Sequence, residues 1–297
     1  MFASFMLALV LVCALITLPR PSDTTPIITA TPVPRYTLYH ALQQAQTNNW
    51  QAQDLLAIGD NYQQLGMSSQ ALAYWQEVLV VQPSLNVSQR VVRVWLQQGE
   101  WAQALTVLQA TLVHFPNDAS TNAQAGFLLA ASNPSQALPY LRKALPDATA
   151  RSLIELMTER DNDTAYQFGV GSILASGGHY AEAEATFMYV SAYTYPNPEA
   201  MAQVGLMRDL QGKHGADWIE QAVAFAPDSP SVRLIQALHL RATGEPELAL
   251  EALQKVLVLQ PNNPLVFNEI ALTYEGMGRT EDARQWRDRA QALTTTP

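Results

Sequence analysis

The phrase "QALAYWQEVLVVQPSL", residues 70–85, returns almost intact far downstream as "LALEALQKVLVLQPNN", residues 248–263. Each copy is an Ala-rich apolar run that stops at a Gln-Pro pair. The small residues following each Gly-containing turn put both copies on one grid: Ala71, Ala104 and Ala137 are 33 apart. After a step of 46 come Ala183, Ala216 and Ala249, again 33 apart, and Ala283 follows at 34. A period of 33 to 34 residues held this long restricts the chain to stacked copies of one supersecondary unit. It excludes repeats of the HEAT type, which run to about 40 residues or more.

Each unit has a physical grammar. In residues 53–83, Leu55, Ile58, Gly59 and Tyr62 recur at i, i+3, i+4 and i+7, the apolar stripe of an amphipathic helix. Gly66 supplies the left-handed turn that ends it. A second helix turns Ala71, Leu72, Trp75, Val78 and Leu79 inward, and Pro83 stops it. Gly59 and Ala71 are small where two antiparallel helices must approach, and Tyr62 and Trp75 fill the space around that approach.

Leu55-x2-Ile58-Gly59-x2-Tyr62, followed by Ala71-x3-Trp75 and Pro83, resembles a tetratricopeptide repeat (TPR). The second unit matches through Trp95, Gly99, Ala104, Leu108 and Pro116. The third does so through Ala125, Leu128, Ala137, Leu141 and Ala144, with an early Pro146. The fourth carries Gly171, Leu174, Gly178, Ala183 and Phe187, and the fifth Gly205, Gly212 and Ala216. The sixth has Ala237, Leu240, Gly244, Ala249, Leu253, Val256 and Pro261, and the seventh Ala271, Tyr274, Gly278, Ala283 and Ala290. The resemblance implies an all-α fold, a right-handed superhelical α-solenoid of antiparallel helix pairs with first helices lining a concave face. It covers residues 36–297, and "YTLYHALQQAQ" (36–46) reads as a capping helix. Thirteen extra residues around "ARSLIELMTERDND" suggest an added helix that bends the solenoid or divides it into blocks of 36–146 and 147–297. At the far end Arg279, Arg284, Arg287, Asp288 and Arg289 make the last helix its own polar cap.

Residues 1–18, "MFASFMLALVLVCALITL", carry no charged side chain. As a helix they would span roughly 27 Å, near the lower limit for a bilayer core. We read them as an uncleaved single-pass anchor. The alternatives are a cleaved signal peptide, which would lack a basic n-region here, and a buried globular helix. Residues 19–35 hold five prolines and read as an extended Pro/Thr-rich linker, or else as a plain tail. Arg20 just after the apolar run favours a cytoplasmic C-terminus. The Thr/Pro linker and the scarcity of Lys (Lys143, Lys213, Lys255) favour the opposite side. The expected placement is a cell-membrane protein with its solenoid extracytoplasmic, or a secreted one if the N-terminus is cleaved.

A formal charge of −9 with no basic run argues against nucleic acid as a partner. Cys13 is the only cysteine, which excludes an intrachain disulfide and a thiolate zinc site. Five histidines show no HxxxH spacing, and His179 and His214 fall in turns where they read as solvated. No nucleophile elbow, P-loop or dinucleotide fingerprint occurs. The acid pairs Glu182/Glu184 and Glu281/Asp282 open second helices, where they complement the dipole. The expectation is therefore a protein that is not an enzyme, with no cofactor and no metal.

The concave face remains. By resemblance, Leu56, Asp60 and Gln63 face it from the first unit, Gln89, Arg93 and Leu96 from the second, and Asn122 and Leu129 from the third. Phe168, Leu238, Arg241, Asn268 and Glu275 continue the strip. Some relatives clamp a terminal carboxylate with Lys and Asn, but here Leu56 and Asp60 occupy those places. The expected function is a membrane-tethered scaffold binding a peptide or protein partner in this groove. The alternatives are a self-assembling component of an envelope complex, as a homo-oligomer, or an accessory subunit positioning a separate enzyme.

Overall fold

The turns between helices explain the architecture, because one stop-and-restart signal recurs along the chain. Pro83, Pro116, Pro196, Pro227 and Pro261 each close off a helix, and a capping side chain follows within two residues. Ser84 accepts from the Val87 N–H, Asp118 from Thr121 at 2.8 Å, Asn197 from Ala200 at 3.0 Å and Asn263 from Leu265 at 3.0 Å. Within the units, Gly99 (φ 77°) and Gly244 (φ 88°) end helices in the left-handed region, where a Cβ would be strained.

The computed structural model describes residues 34–159 and 163–295, and every regular element among them is a helix. The expected anchor at 1–18, and the linker as far as residue 33, lie outside the described residues. The linker is shorter than its expected end at Arg35, because α1 (Pro34–Thr47) already begins at Pro34, and a proline is compatible with a first helical turn. Seven hairpins come after α1. They are α2 (Ala52–Gln64) with α3 (Ser68–Val81), α4 (Leu85–Gln98) with α5 (Trp101–His114), and α6 (Ala119–Leu129) with α7 (Pro134–Ala144). After the single helix α8 (Ala148–Glu159) come α9 (Thr164–Ser176) with α10 (Tyr180–Tyr193) and α11 (Pro198–Leu210) with α12 (Ala216–Phe225). The last are α13 (Pro230–Thr243) with α14 (Pro246–Leu259) and α15 (Pro264–Gly276) with α16 (Thr280–Thr295). Among the described residues no helix is long and apolar enough to cross a membrane.

Small residues close each hairpin. A Cβ on Gly59 would stand 2.6 Å from the Trp75 indole, one on Gly126 2.6 Å from Leu141, and one on Gly171 2.5 Å from Phe187. Opposite them Ala71, Ala104, Ala137, Ala183 and Ala249 are fully buried. The fifth hairpin departs from the pattern. Ala216 is half-buried at the very start of α12, and Gly205 and Gly215 meet backbone to backbone instead, each leaving no room for a Cβ.

Polar side-chain pairs tie three pairs of neighbouring first helices together. Asp60 pairs with Arg90 from α2 to α4, Asp209 with His239 at 2.6 Å from α11 to α13, and Glu269 with Arg241 at 2.8 Å from α15 to α13.

The expected added helix is α8, and it does not interrupt the core. One apolar cluster runs from Phe127 and Leu141 through Leu153 of α8 to Tyr166, Phe187 and Met207. Tyr166 is buried in it, donates from its hydroxyl to the Ala130 carbonyl at 2.8 Å, and has its phenol pushed up to about 12 by that burial. A single extra helix is an odd number in a two-layer stack, so it exchanges the layers for the hairpins beyond it. As a result α10, a second helix by its sequence, lies against α6 and α4, first helices of earlier hairpins.

Exposed apolar side chains recur at one position of the repeat. Val80, Val113, Tyr193 and Val258 each stand three residues before the proline closing their helix. They are 87%, 77%, 72% and 83% exposed. Between α3 and α5 lies a cavity of about 280 Å³ lined by Leu79, Val80, Val107, Ala110 and Phe115.

Gly59→Ala drives a methyl into the Trp75 ring and should cost about 1–3 kcal/mol. Gly276→Ala, where nothing stands within 4 Å, should be neutral or mildly stabilising. Urea unfolding of the two variants checks this, and equal stability would refute the close-approach account.

Candidate binding groove

The exposed face of α4 carries Gln89, Arg93 and Gln97 at four-residue spacing, one above the other on a single stripe. A cavity opens on each side. Towards α2 it encloses about 540 Å³ and is lined by Asp60, Gln63, Gln64, Trp75, Arg90 and Arg93, with Val94 and Gln97. Towards α6 it encloses about 360 Å³, lined by Gln89, Arg93, Leu96, Gln97, Ser120 and Gln124. Ala181 of α10 and Gln211, at the end of α11, close that second cavity. Arg93 and Gln97 belong to both.

Electrostatics distinguish the two arginines. Arg90 is committed to Asp60, stacks 5.7 Å from the centre of the Trp75 ring, and donates from its Nε to the Asn86 side chain at 2.9 Å. Asp60 also accepts from the Trp75 indole at 3.0 Å. Arg93 is exposed and makes no hydrogen bond or ion pair among the described residues.

The groove is closed at one end by a buried charge cluster. Glu184 of α10 accepts from Arg208 at 3.0 Å, Lys213 at 2.9 Å and Gln211 at 2.8 Å, with its side chain only 2% exposed. A carboxylate that buried is tolerable only because three donors replace its water. The cluster holds the turn after α11, from which Lys213 reaches to 5.8 Å from the centre of the Trp101 ring of α5. Thus Glu184 does more than complement a helix dipole: it ties the fourth hairpin to the fifth.

Five of the sequence-predicted residues come together here: Asp60 and Gln63 in the first cavity, Gln89 and Leu96 in the second, and Arg93 in both. Leu56 lies to one side, in a smaller cavity with Ala52, Val78 and Val87. Asn122 is fully buried, donating to the Asp118 carbonyl at 2.8 Å and the Pro116 carbonyl at 3.2 Å, so it ties a turn and lines no open surface. Phe168 packs at 5.7 Å against the Phe187 ring, inside the core margin. Leu238 is half-buried beside Arg241, whose guanidinium is taken by Glu269, and Glu275 pairs with Arg287 of α16. Asn268 is exposed on α15. None of these later residues lines either α4 cavity.

The two turn histidines differ. His214 is exposed, as its turn position implies. His179 is not solvated: it is half-buried, with its ring 4.6 Å from that of Phe127, because α10 folds back onto α6.

Sequence reasoning missed Gln97, Gln124, Gln211 and Ala181. Gln97 carried a usable signal, lying one helical turn beyond Arg93. Gln124 lies on α6, the first helix of the next unit, whereas Ala181 and Gln211 come from later units that reach α4 through the return of α10, which no local spacing reports.

With this geometry in place, comparison with known proteins gives the class. The tetratricopeptide repeat family profile matches residues 92–152, 216–264 and 234–296. Residues 92–152 and 216–296 therefore match tetratricopeptide repeats, within an all-helical solenoid. Solved structures that are similar include MamA (AMB-1), 22% identical over 58% of this chain and 97% of that one, with a TM-score of 0.36. YrrB, described as a TPR protein with an unusual peptide-binding site, is 18% identical over 63% and 91%, with a TM-score of 0.37. A tetratricopeptide repeat protein from Parabacteroides merdae ATCC 43184 is 17% identical over 80% and 89%, also at 0.37. No curated protein matches the chain.

Beside the cluster, burial pushes the Glu182 carboxyl above its usual 4.5, partly offset by a backbone hydrogen bond and by His179. A carboxyl with a raised folded-state value favours folding below 4.5, and that contribution is lost as pH rises through the folded value. Glu182→Gln should accordingly raise the melting temperature at pH 7, with the gain vanishing below about pH 4.5. Thermal melts at both pH values check the sign.

Proposed function

We propose that this chain is a membrane-tethered, non-enzymatic scaffold that takes a peptide segment of a protein partner along the α4 stripe. Residues 1–18 supply the tether, residues 19–33 the linker, and the helical array lies on the extracytoplasmic side. The observation carrying the reading is the pair of cavities that share Arg93 and Gln97. They combine an open polar trough with an indole wall and amide side chains, groups suited to the donors and acceptors of a peptide backbone.

A photoreactive side chain in place of Gln97 should crosslink a partner protein in intact cells. A second reading has its own observation, the exposed Val80 and Val113 on α3 and α5, the two helices that flank an apolar cavity. They make an apolar face of the kind that marks an association surface and would make the chain a component of a larger assembly. The same probe at Val113 separates the two. Crosslinks at 97 alone support the groove, and crosslinks at 113 alone, to a second copy or another protein, support that face.

Protease added to intact cells should remove a C-terminal tag. Protection until lysis would place the array on the cytoplasmic side.

A further inference from the structure

We infer that the exposed face of α3 and α5 joins two copies of this chain about a two-fold axis. This rests on the second reading above, that the face is an association surface, and asks nothing of the α4 groove. The two helices have 14 residues each, and Glu77 is their one charged side chain at pH 7. Other second helices differ: α7 carries Arg142 and Lys143, and α14 carries Glu247, Glu251 and Lys255. Loss of charge, more than apolar content, marks the centre of a protein interface. In place of charge, α3 and α5 expose Val80, Val81 and Val113.

The recess between the helices asks for an apolar filling. Its walls are Leu79, Val80, Val107, Ala110 and Phe115, with Gln76 and His114 exposed at the rim. The hydroxyls that reach it are already used within the chain. Thr111 and Ser88 bond to each other at 2.8 Å, Thr106 donates to the Ala102 carbonyl at 2.9 Å, and Ser84 accepts from the Val87 N–H. The floor therefore offers a polar ligand little, whereas a projecting valine fills it.

Charge selects a second copy as the occupant. At a formal −9 two copies repel over most of their surfaces, and they approach most easily where neither presents a row of acids to the other. A partner recognised by opposite charge would find only Glu77 on this face. The face also meets the condition for a two-fold contact, since projecting side chains and a recess to take them lie on one surface. Two helices about 21 Å long and about 10 Å apart cover roughly 400 Å² in projection, at the low end for a specific interface. The dimer is accordingly reversible, with a Kd on the order of micromolar.

Sedimentation of the full-length chain in detergent should show the mass rising from one copy to two as the protein is concentrated through that range. Val80 and Val113 are exposed, so charging them leaves the fold intact, which an unchanged melting temperature checks. The double variants Val80→Glu/Val113→Glu and Val80→Lys/Val113→Lys should each self-associate about tenfold or more weakly, and an equal mixture of the two should recover the dimer. A single copy at every concentration, undiminished association of the double variants, or a mixture that stays apart overturns the two-fold assignment. The photoreactive probe at 113 separates this inference from the reading beneath it. Crosslinks to a different protein alone overturn the second copy and leave the association surface standing, and no crosslink at 113 overturns both.

Discussion

The structure depends on one steric condition, the close approach of two antiparallel helices at a residue without a side chain. Gly59, Gly126, Gly171 and Gly205 each sit where a Cβ would lie between 2.5 and 2.6 Å from a large partner: Trp75, Leu141, Phe187 and Ile219. Closing the hairpin there lets the partner bury its whole apolar surface across the first helix, and burial of that kind is the main stabilising term available to a helical repeat. An isolated helix of 11 to 14 residues is marginal in water, so the hairpin, not the helix, is the smallest stable piece. Stacking hairpins then buries the remaining face of each, which is why the core appears as a chain of clusters and not one centre.

Polar interactions set how the stacked units face one another. The pairs Asp60–Arg90 and Glu269–Arg241 link neighbouring first helices, half-buried, where an ion pair is worth more than on an open surface, and a hydrogen bond joins Asp209 to His239. Glu184 is a different case. Its desolvation would be costly if any of Arg208, Gln211 or Lys213 were missing, so the cluster specifies one seating of α10 against the turn after α11. That seating places Ala181 and Gln211 at the end of the α4 trough. The groove therefore owes its closed end to a buried charge one hydrogen bond behind its wall.

Much of the fold was legible because its signals are local. The buried alanines, the prolines with their following caps, and the glycines at helix ends lie within one or two turns of what they control, and the added helix near residue 150 showed in its apolar spacing. The fifth unit was the least legible. Ala216 keeps the period, yet the helix starts late and two glycine backbones take over the contact. The site was half legible. Asp60, Gln63, Gln89 and Arg93 share a face because helical spacing puts them there, while Asn122, at an equivalent position, is taken into the turn before α6 and Phe168 packs on Phe187 of its own hairpin.

By itself the sequence determined the repeat: its period, its helix ends and its small-residue contacts, since each depends on backbone sterics and side-chain volume within a single unit. Only the tertiary structure decided the layer exchange after α8 and the return of α10 onto α4 and α6. It also decided which of the two α4 arginines, Arg90 and Arg93, was paired with an acid. Those outcomes depend on how many helices separate two surfaces and on which buried charges meet across 24 to 30 residues, and such sums are not carried by any local pattern.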